Sequence, residues 1–139
     1  HPRGFHRDAP GHRLTTMMAP TLAHRTGGDA LALGSGGANR LRNAILTVLC
    51  HLMEHGRDPV EAVAAPRLHL ETQGGGFHLA FEDVDLAPGV ADALCRMWPD
   101  ATRFPARSMF FGGVHLAWRR GDALGGHGDA RRGGAVRLG

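Results

Sequence analysis

Between Leu33 and Arg40 the chain reads Leu-Gly-Ser-Gly-Gly-Ala-Asn-Arg, and an apolar segment, Leu41–Met53, follows at once. Small residues in a row let the backbone turn tightly and let a ligand approach peptide N–H groups. Behind them Leu41, Ala44, Ile45, Val48, Leu49, Leu52 and Met53 recur at helical spacing, which predicts a helix over about 39–55 with Asn39 or Ser35 as its cap. Gly56 then supplies the stop. A tight loop feeding a helix start presents unpaired N–H donors and the positive end of a dipole, suited to an anion or to an oxygen that becomes negative during a reaction. The same residues also fit a plain strand-to-helix turn with no ligand.

At 139 residues the chain is one domain or part of one. Its 21 Gly and 8 Pro imply many turns. All 16 basic residues are Arg, scattered along the chain, and the net charge is a modest +3. Nucleic-acid binding calls for basic clusters interleaved with aromatics, which this pattern lacks. No apolar run reaches the length of a membrane-spanning helix, so no membrane partner is expected. Cys50 and Cys95 sit in apolar helical patterns and read as buried free thiols.

Residues 1–13, broken by Pro2, Gly4, Pro10 and Gly11, read as a loop. Thr21–Arg25 and Ala30–Leu33 flank Gly27-Gly28-Asp29 as a hairpin whose second arm enters the glycine loop. Asp58-Pro59-Val60-Glu61 combines an N-cap, a proline at the first helical position and a Glu three residues after the cap, so a short helix should run to about Ala65, before Pro66. Arg67–Glu71 and Phe77–Phe81 alternate around Gly74-Gly75-Gly76 as a second hairpin. Gly89–Trp98 returns to helical spacing. Met109–Trp118 reads as a strand or two strands with a glycine kink, Gly125–Gly134 as a loop, and Ala135–Leu138 as a last short strand. Strands, a helical pair and strands again give an α+β arrangement.

Three patterns carry possible chemistry. His51-Leu52-Met53-Glu54-His55 has the spacing of an inverted zinc-peptidase motif, but nothing nearby nominates a third ligand, so no metal is expected and Glu54 reads as a surface residue. Thr15 and Thr16 offer hydroxyls; a Thr is a nucleophile only when its own free amine or another base activates it, so hydrogen bonding suits these internal residues better. Asp129-Ala130-Arg131-Arg132 reads as an ion-paired loop fastening, with a binding patch as the other choice.

Five segments then fall in a telling order: Leu14–Thr21 (Leu-Thr-Thr-Met-Met-Ala-Pro-Thr), Gly34–Leu41 (Gly-Ser-Gly-Gly-Ala-Asn-Arg-Leu), Ala62–His69 (Ala-Val-Ala-Ala-Pro-Arg-Leu-His), Phe111–His115 (Phe-Gly-Gly-Val-His) and Gly128–Gly134 (Gly-Asp-Ala-Arg-Arg-Gly-Gly). Together they resemble the C-terminal part of the small subunit of gamma-glutamyltransferases, also called gamma-glutamyltranspeptidases or glutathione hydrolases. The resemblance runs from about Gly4 to the last residues. It implies part of an N-terminal-nucleophile hydrolase, an αββα four-layer sandwich with antiparallel sheets. In that family the precursor cuts itself, and a Thr freed at the new N-terminus attacks a gamma-glutamyl amide such as that of glutathione. The acyl group then passes to water or to an amino acceptor, and no cofactor is needed. An ungapped match places the two oxyanion-hole N–H groups on Gly37 and Ala38.

The family holds the substrate's alpha-carboxylate with a Ser-Ser pair ahead of a Met and a Pro. Counted back from Pro20, that pair falls on Thr16 and Met17, or on Thr15 and Thr16 in a shifted register. Met17 has no hydroxyl, which makes a related acylase, acting on a beta-lactam side chain or on poly-gamma-glutamate, the second reading; a non-catalytic scaffold that binds a small acid at the glycine loop is the third. The nucleophilic Thr and the groups that meet the alpha-amino and carboxylate ends belong upstream of His1 in the family. The expectation is therefore a single partial domain over residues 1–139, inactive alone, whose partners are the large subunit and the start of the small one together with a gamma-glutamyl small molecule. Compartment is left open, because family members are both exported and intracellular.

Overall fold

The structure, a computed structural model, describes residues 8–14 and 16–137. Strands β1 (Thr21–His24) and β2 (Ala30–Gly36) form the first hairpin, with Thr21 opposite Leu33. Strands β6 (Gly113–Arg120) and β7 (Ala123–His127) extend it into an antiparallel sheet ordered β1-β2-β6-β7. A second sheet holds β3 (Leu68–Gln73), β4 (Gly76–Glu82) and the short β5 (Thr102–Phe104). Here β3 and β4 pair antiparallel across a two-residue turn, Gly74-Gly75, with φ of +58° and +84°. Both central residues of such a turn need positive φ, which is why two glycines stand there.

Helix α1 (Leu41–Met53) lies on one face of the first sheet and buries Leu41, Ala44, Ile45 and Val48 of the stripe its sequence spacing predicted, with Leu49 and Leu52 partly buried, while Met53 at its end is exposed. With α2 (Pro59–Ala64) it forms a core that includes Val63, Leu33, Val114 and Leu116. Cross-strand partners share a face, so Leu33 opposite Leu116 and Ser35 opposite Val114 point toward α1. The alternate positions Ala32, Gly34, Gly36, Gly113, His115 and Ala117 lie on the opposite face. On β1 and β7, Leu22 and Leu124 are 82% and 70% exposed. Apolar and small residues on an open sheet face suit packing against a further layer.

α2 starts where the proline pattern predicted: Asp58 caps it, accepting from the Val60 N–H at 2.8 Å. Helix α3 (Val90–Met97) follows β4 and leads to β5, which pairs parallel to β4. A parallel neighbour needs a crossover, and α3 supplies it. The sequence reading missed β5, a three-residue strand with no alternation long enough to register.

Four local expectations change. Neither Asn39 nor Ser35 caps the long helix; a 3-10 turn over Ala38–Arg40 leads into it, with no side-chain cap. Met109–Phe111 is a 3-10 turn capped by Ser108, and not a strand. Its rings explain the difference: Phe110 and Phe111 pack on Phe104 at centroid distances of 5.0 and 5.1 Å, a cluster that a straight strand would pull apart. Residues 123–127, in part read as loop, form β7, because Gly125 gives the Trp118 ring its space: a Cβ there would fall 2.2 Å from the ring. Residues 135–137 form no strand. The two thiols are free and half-buried, and no helix among the described residues is long and apolar enough to cross a membrane.

Candidate functional site

At the end of β2 the backbone turns through Gly37, at φ +117° and ψ +53°, and Ala38, at φ +36°. A left-handed backbone costs little for Gly37 and is strained for Ala38, which has a Cβ. Among the described residues neither the Gly37 nor the Ala38 N–H donates a hydrogen bond, while the Gly37 carbonyl accepts from Arg40 N at 3.0 Å. Consecutive N–H groups in such a conformation form an anion-binding concavity at the head of a helix. The tight glycine turn feeding a helix start that the sequence predicts is thus present.

A second glycine pair fixes its shape. Ser35 Oγ accepts from the Gly113 N–H at 3.2 Å and donates to the Gly36 carbonyl at 2.9 Å. Gly112, at φ +79°, approaches so closely that a Cβ on it would fall 2.8 Å from the Gly36 carbonyl oxygen. A Cβ on Gly37 would in turn stand 3.0 Å from Gly112 Cα. Two glycine turns therefore meet backbone to backbone, and no other residue type fits between them.

Beneath this lies a buried ionic network that sequence reasoning recognised only in part. Arg131 binds Glu82 through two bonds, Nε to Oε1 at 2.7 Å and Nη2 to Oε2 at 2.5 Å, with both side chains 0% exposed. It also donates to the carbonyls of Val63 and Ala65. Arg67 pairs with Asp129 at 2.7 Å, and Asp129 accepts the N–H groups of Val114 and Arg131, both at 2.9 Å. Two cations and two anions balance, and the network joins α2, both sheets and the 3-10 turn over Ala130–Arg132. The reading of Asp129 and Arg131 as a fastening is right in kind, although the fastening is internal. Glu82 carried no signal, since a Glu closing an alternating strand reads as a solvated end.

The charges tune one another. Burial pushes the Asp129 carboxyl up, yet Arg67 and the N–H donors of Arg131 and Val114 outweigh it and hold it below the usual carboxylate value. For Arg131 burial works against the charge, and the Glu82 bonds more than restore it.

The remaining sequence candidates fall as follows. Gly37 and Ala38 form the loop just described. Residues 16–20 lead into β1 at the sheet end where Gly36 leaves β2, since Thr21 faces Leu33. Thr16 is exposed and its Oγ1 accepts the Met18 N–H at 3.1 Å, which leaves the hydroxyl proton available. Met17 is half-buried, and Thr15 lies outside the described residues. Among the described residues no hydrogen bond joins Thr16 to the glycine loop. His51 and His55 stand with ring centroids 5.7 Å apart, and among the described residues no group of three metal-ligating side chains includes them. Burial and then the Arg57 charge hold His51 below its ordinary pKa. Glu54 is exposed, as expected for a surface residue.

Comparison with known proteins places this geometry. The family model described as gamma-glutamyltranspeptidase matches residues 1–138. The chain is similar to the acylase ACY 1 proenzyme of Pseudomonas sp. (strain SE83), 37% identical over 97 residues, covering 70% of this chain and 16% of that protein. It is also similar to the capsule biosynthesis protein CapD proenzyme of Bacillus anthracis, 30% identical over 134 residues, covering 94% of this chain and 24% of that one. The chain thus spans about a sixth to a quarter of the length of these relatives. Among solved structures, gamma-glutamyltranspeptidase from Pseudomonas nitroreducens, complexed with L-DON, superposes with a TM-score of 0.75 at 26% identity, covering 94% of this chain and 66% of that one. The α+β fold, one sheet wholly antiparallel and the other antiparallel but for β5, is that of the N-terminal-nucleophile hydrolase sandwich, as the five motifs implied. With the family model matched along nearly its whole length, the chain belongs to the gamma-glutamyltranspeptidase family.

Proposed function

We propose that this chain supplies the oxyanion hole and part of the substrate pocket of an enzyme that cleaves gamma-glutamyl amides, passing the acyl group to water or an amino acceptor. One observation carries the reading: the adjacent Gly37 and Ala38 N–H groups, which have no partner among the described residues, at the head of α1. When a Thr hydroxyl adds to the amide carbonyl, the oxygen becomes negative and these two donors stabilise it without reorganising. Collapse expels the amine, which takes a proton, and leaves an acyl ester on the Thr. Water or an amine then adds to that ester through a second oxyanion at the same donors. On the family resemblance the nucleophile is a Thr freed at a new N-terminus when a proenzyme cuts itself, a part of the family's sequence that lies upstream of the segment matched here.

The test is turnover of a gamma-glutamyl anilide by the full-length protein carrying this chain, set beside the 139-residue chain alone. The full-length protein should release the aniline and the chain alone should not. Release by the chain alone, or none by the full-length protein, overturns the proposal.

A second reading within the same chemistry is an acylase for another carboxylate-bearing amide. Met17 favours it, where the family has a hydroxyl, and so does the 37% identity with an acylase. Faster cleavage of a glutaryl or adipyl amide than of the gamma-glutamyl one decides for it.

A further inference from the structure

Strands β2 and β6 keep facing each other past the end of the sheet. Ser35 stands opposite Val114 and Gly36 opposite Gly113. One step further a Cβ on Gly37 would stand 3.0 Å from Gly112 Cα, so the two backbones still touch after both strands have stopped. Beyond that the segments coil away as 3-10 turns, Ala38–Arg40 on one side and Met109–Phe111 on the other. The contact continues, now through side chains: the Arg40 guanidinium carbon lies 3.8 Å from the centre of the Phe110 ring. Arg40 thus grips the segment that carries Gly112, and its own N–H donates to the Gly37 carbonyl at 3.0 Å.

Both ends of this contact are anchored. Phe110 packs on Phe104 and on Phe111, each with ring centroids 5.0 Å away, and its N–H donates to Ser108 Oγ. The Ser108 N–H donates in turn to Glu82, which Arg131 fixes. Arg40 Nη2 stands 3.7 Å from Glu71 Oε1 on β3, and Arg40 Nε is buried with no hydrogen-bond partner among the described residues. The ring face and the Glu71 carboxylate supply the negative potential that this cation meets. No side chain caps either the 3-10 turn or α1, and Ala38 between them and Gly37 holds a strained φ of +36°. Such a conformation persists only where the surroundings over-determine it.

We propose that Arg40 is a positioning residue: stacked on Phe110, it holds the Ala38–Arg40 turn against the segment leading to Gly112 and so fixes the direction of the Gly37 and Ala38 N–H groups. This deepens the proposed function and rests on it for its catalytic consequence. Arg40 acts through the turn and not by touching substrate. Ser35 and the glycine pair fasten the loop on its strand side, and Arg40 fastens it on its helix side, so the strained Ala38 lies between two fixed points. Donors stabilise an oxyanion only while they keep their aim, and a displacement of about 1 Å costs on the order of a hundredfold in rate.

Two measurements on the full-length protein test this. The first is backbone hydrogen exchange followed by mass spectrometry, which needs no turnover. It compares wild type with Arg40→Met, which keeps the stem without the charge, Phe110→Leu, which keeps apolar volume without the ring face, and Arg40→Lys. The reporting amides are those of Arg40, bonded to Gly37, and Leu41, bonded to Ala38. Peptides over 36–41 should exchange about tenfold faster in Arg40→Met and Phe110→Leu, with Arg40→Lys in between, while peptides over 26–30 stay unchanged. Unchanged exchange over 36–41 overturns the proposal, and so does an equal rise over 26–30, which reports a general loosening. The second is turnover of a gamma-glutamyl anilide. Arg40→Met should lower kcat about tenfold with KM unchanged, and adding Phe110→Leu to it should lower kcat no further, because both remove one contact. Losses that multiply, or a rise in KM alone, overturn it. If the wild type cleaves no amide, the enzymatic reading fails, and the exchange rates still decide whether Arg40 holds the loop.

Discussion

Arg131 holds Glu82 with two nearly parallel hydrogen bonds, 2.7 and 2.5 Å long, between side chains wholly removed from solvent. The pair clamps the end of β4 to the turn that carries Arg132, and Glu82 also takes the N–H groups of Arg67 at 3.0 Å and Ser108 at 2.8 Å. A buried ion pair of this kind adds little net stability over apolar residues of equal volume, but breaking it leaves a charge stranded.

Glu82→Gln should therefore destabilise the fold by about 3–5 kcal/mol, because Arg131 loses its counter-charge where water cannot replace it. The double variant Glu82→Met with Arg131→Met should recover a large part of that loss. Denaturant unfolding of the full-length protein checks both, and a double variant as unstable as the single one would contradict the account.

Asp129 gives the stability a pH dependence. Its folded-state pKa lies below the unfolded value, so its contribution is fully present above about pH 4 and is lost as pH falls from there through the folded pKa. Thermal melts between about pH 5 and pH 2 should show the wild type losing stability more steeply than Asp129→Asn. Parallel curves would rule out Asp129 as the source.

Gly37→Ala and Gly27→Ala separate strain from contact. Both glycines have strongly positive φ, +117° and +111°, but a Cβ on Gly27 meets nothing within 4 Å, whereas one on Gly37 meets Gly112 Cα at 3.0 Å. Gly27→Ala should cost about 1–2 kcal/mol from backbone conformation alone. Gly37→Ala should cost more and, under the proposed function, should lower kcat, since the clash moves one of the two N–H donors proposed for the oxyanion. Equal losses of stability would remove the packing argument.

Ser35→Ala strands the buried Gly113 N–H and frees the two glycine turns from each other. A loss of about 1–3 kcal/mol is expected, and Ser35→Thr does not restore it if the added methyl cannot be placed beside the core. Unfolding of the two variants side by side gives the answer.

Much of the local structure was legible in the sequence because it depends on neighbours in the chain. Helical spacing set the buried face of α1, Asp58-Pro59 set the start of α2, and Gly74-Gly75 set a hairpin turn. The glycine loop was also legible, since only small residues allow that path. The missed pieces depend on partners far along the chain. Met109–Phe111 coils because Phe104 waits for its rings, and β5 exists because β4 offers a free edge.

The sequence by itself determined the family, the position of the glycine loop and the helix that follows it, because ordered motifs and backbone freedom are properties of residue type and spacing. Only the tertiary structure decided that Arg131 is an internal anchor while Arg132, its neighbour, lies along the glycine loop. Adjacent arginines look alike in a sequence. They differ here because Glu82, 49 residues from Arg131, is buried beneath one of them, and Gly113 leaves space for the stem of the other.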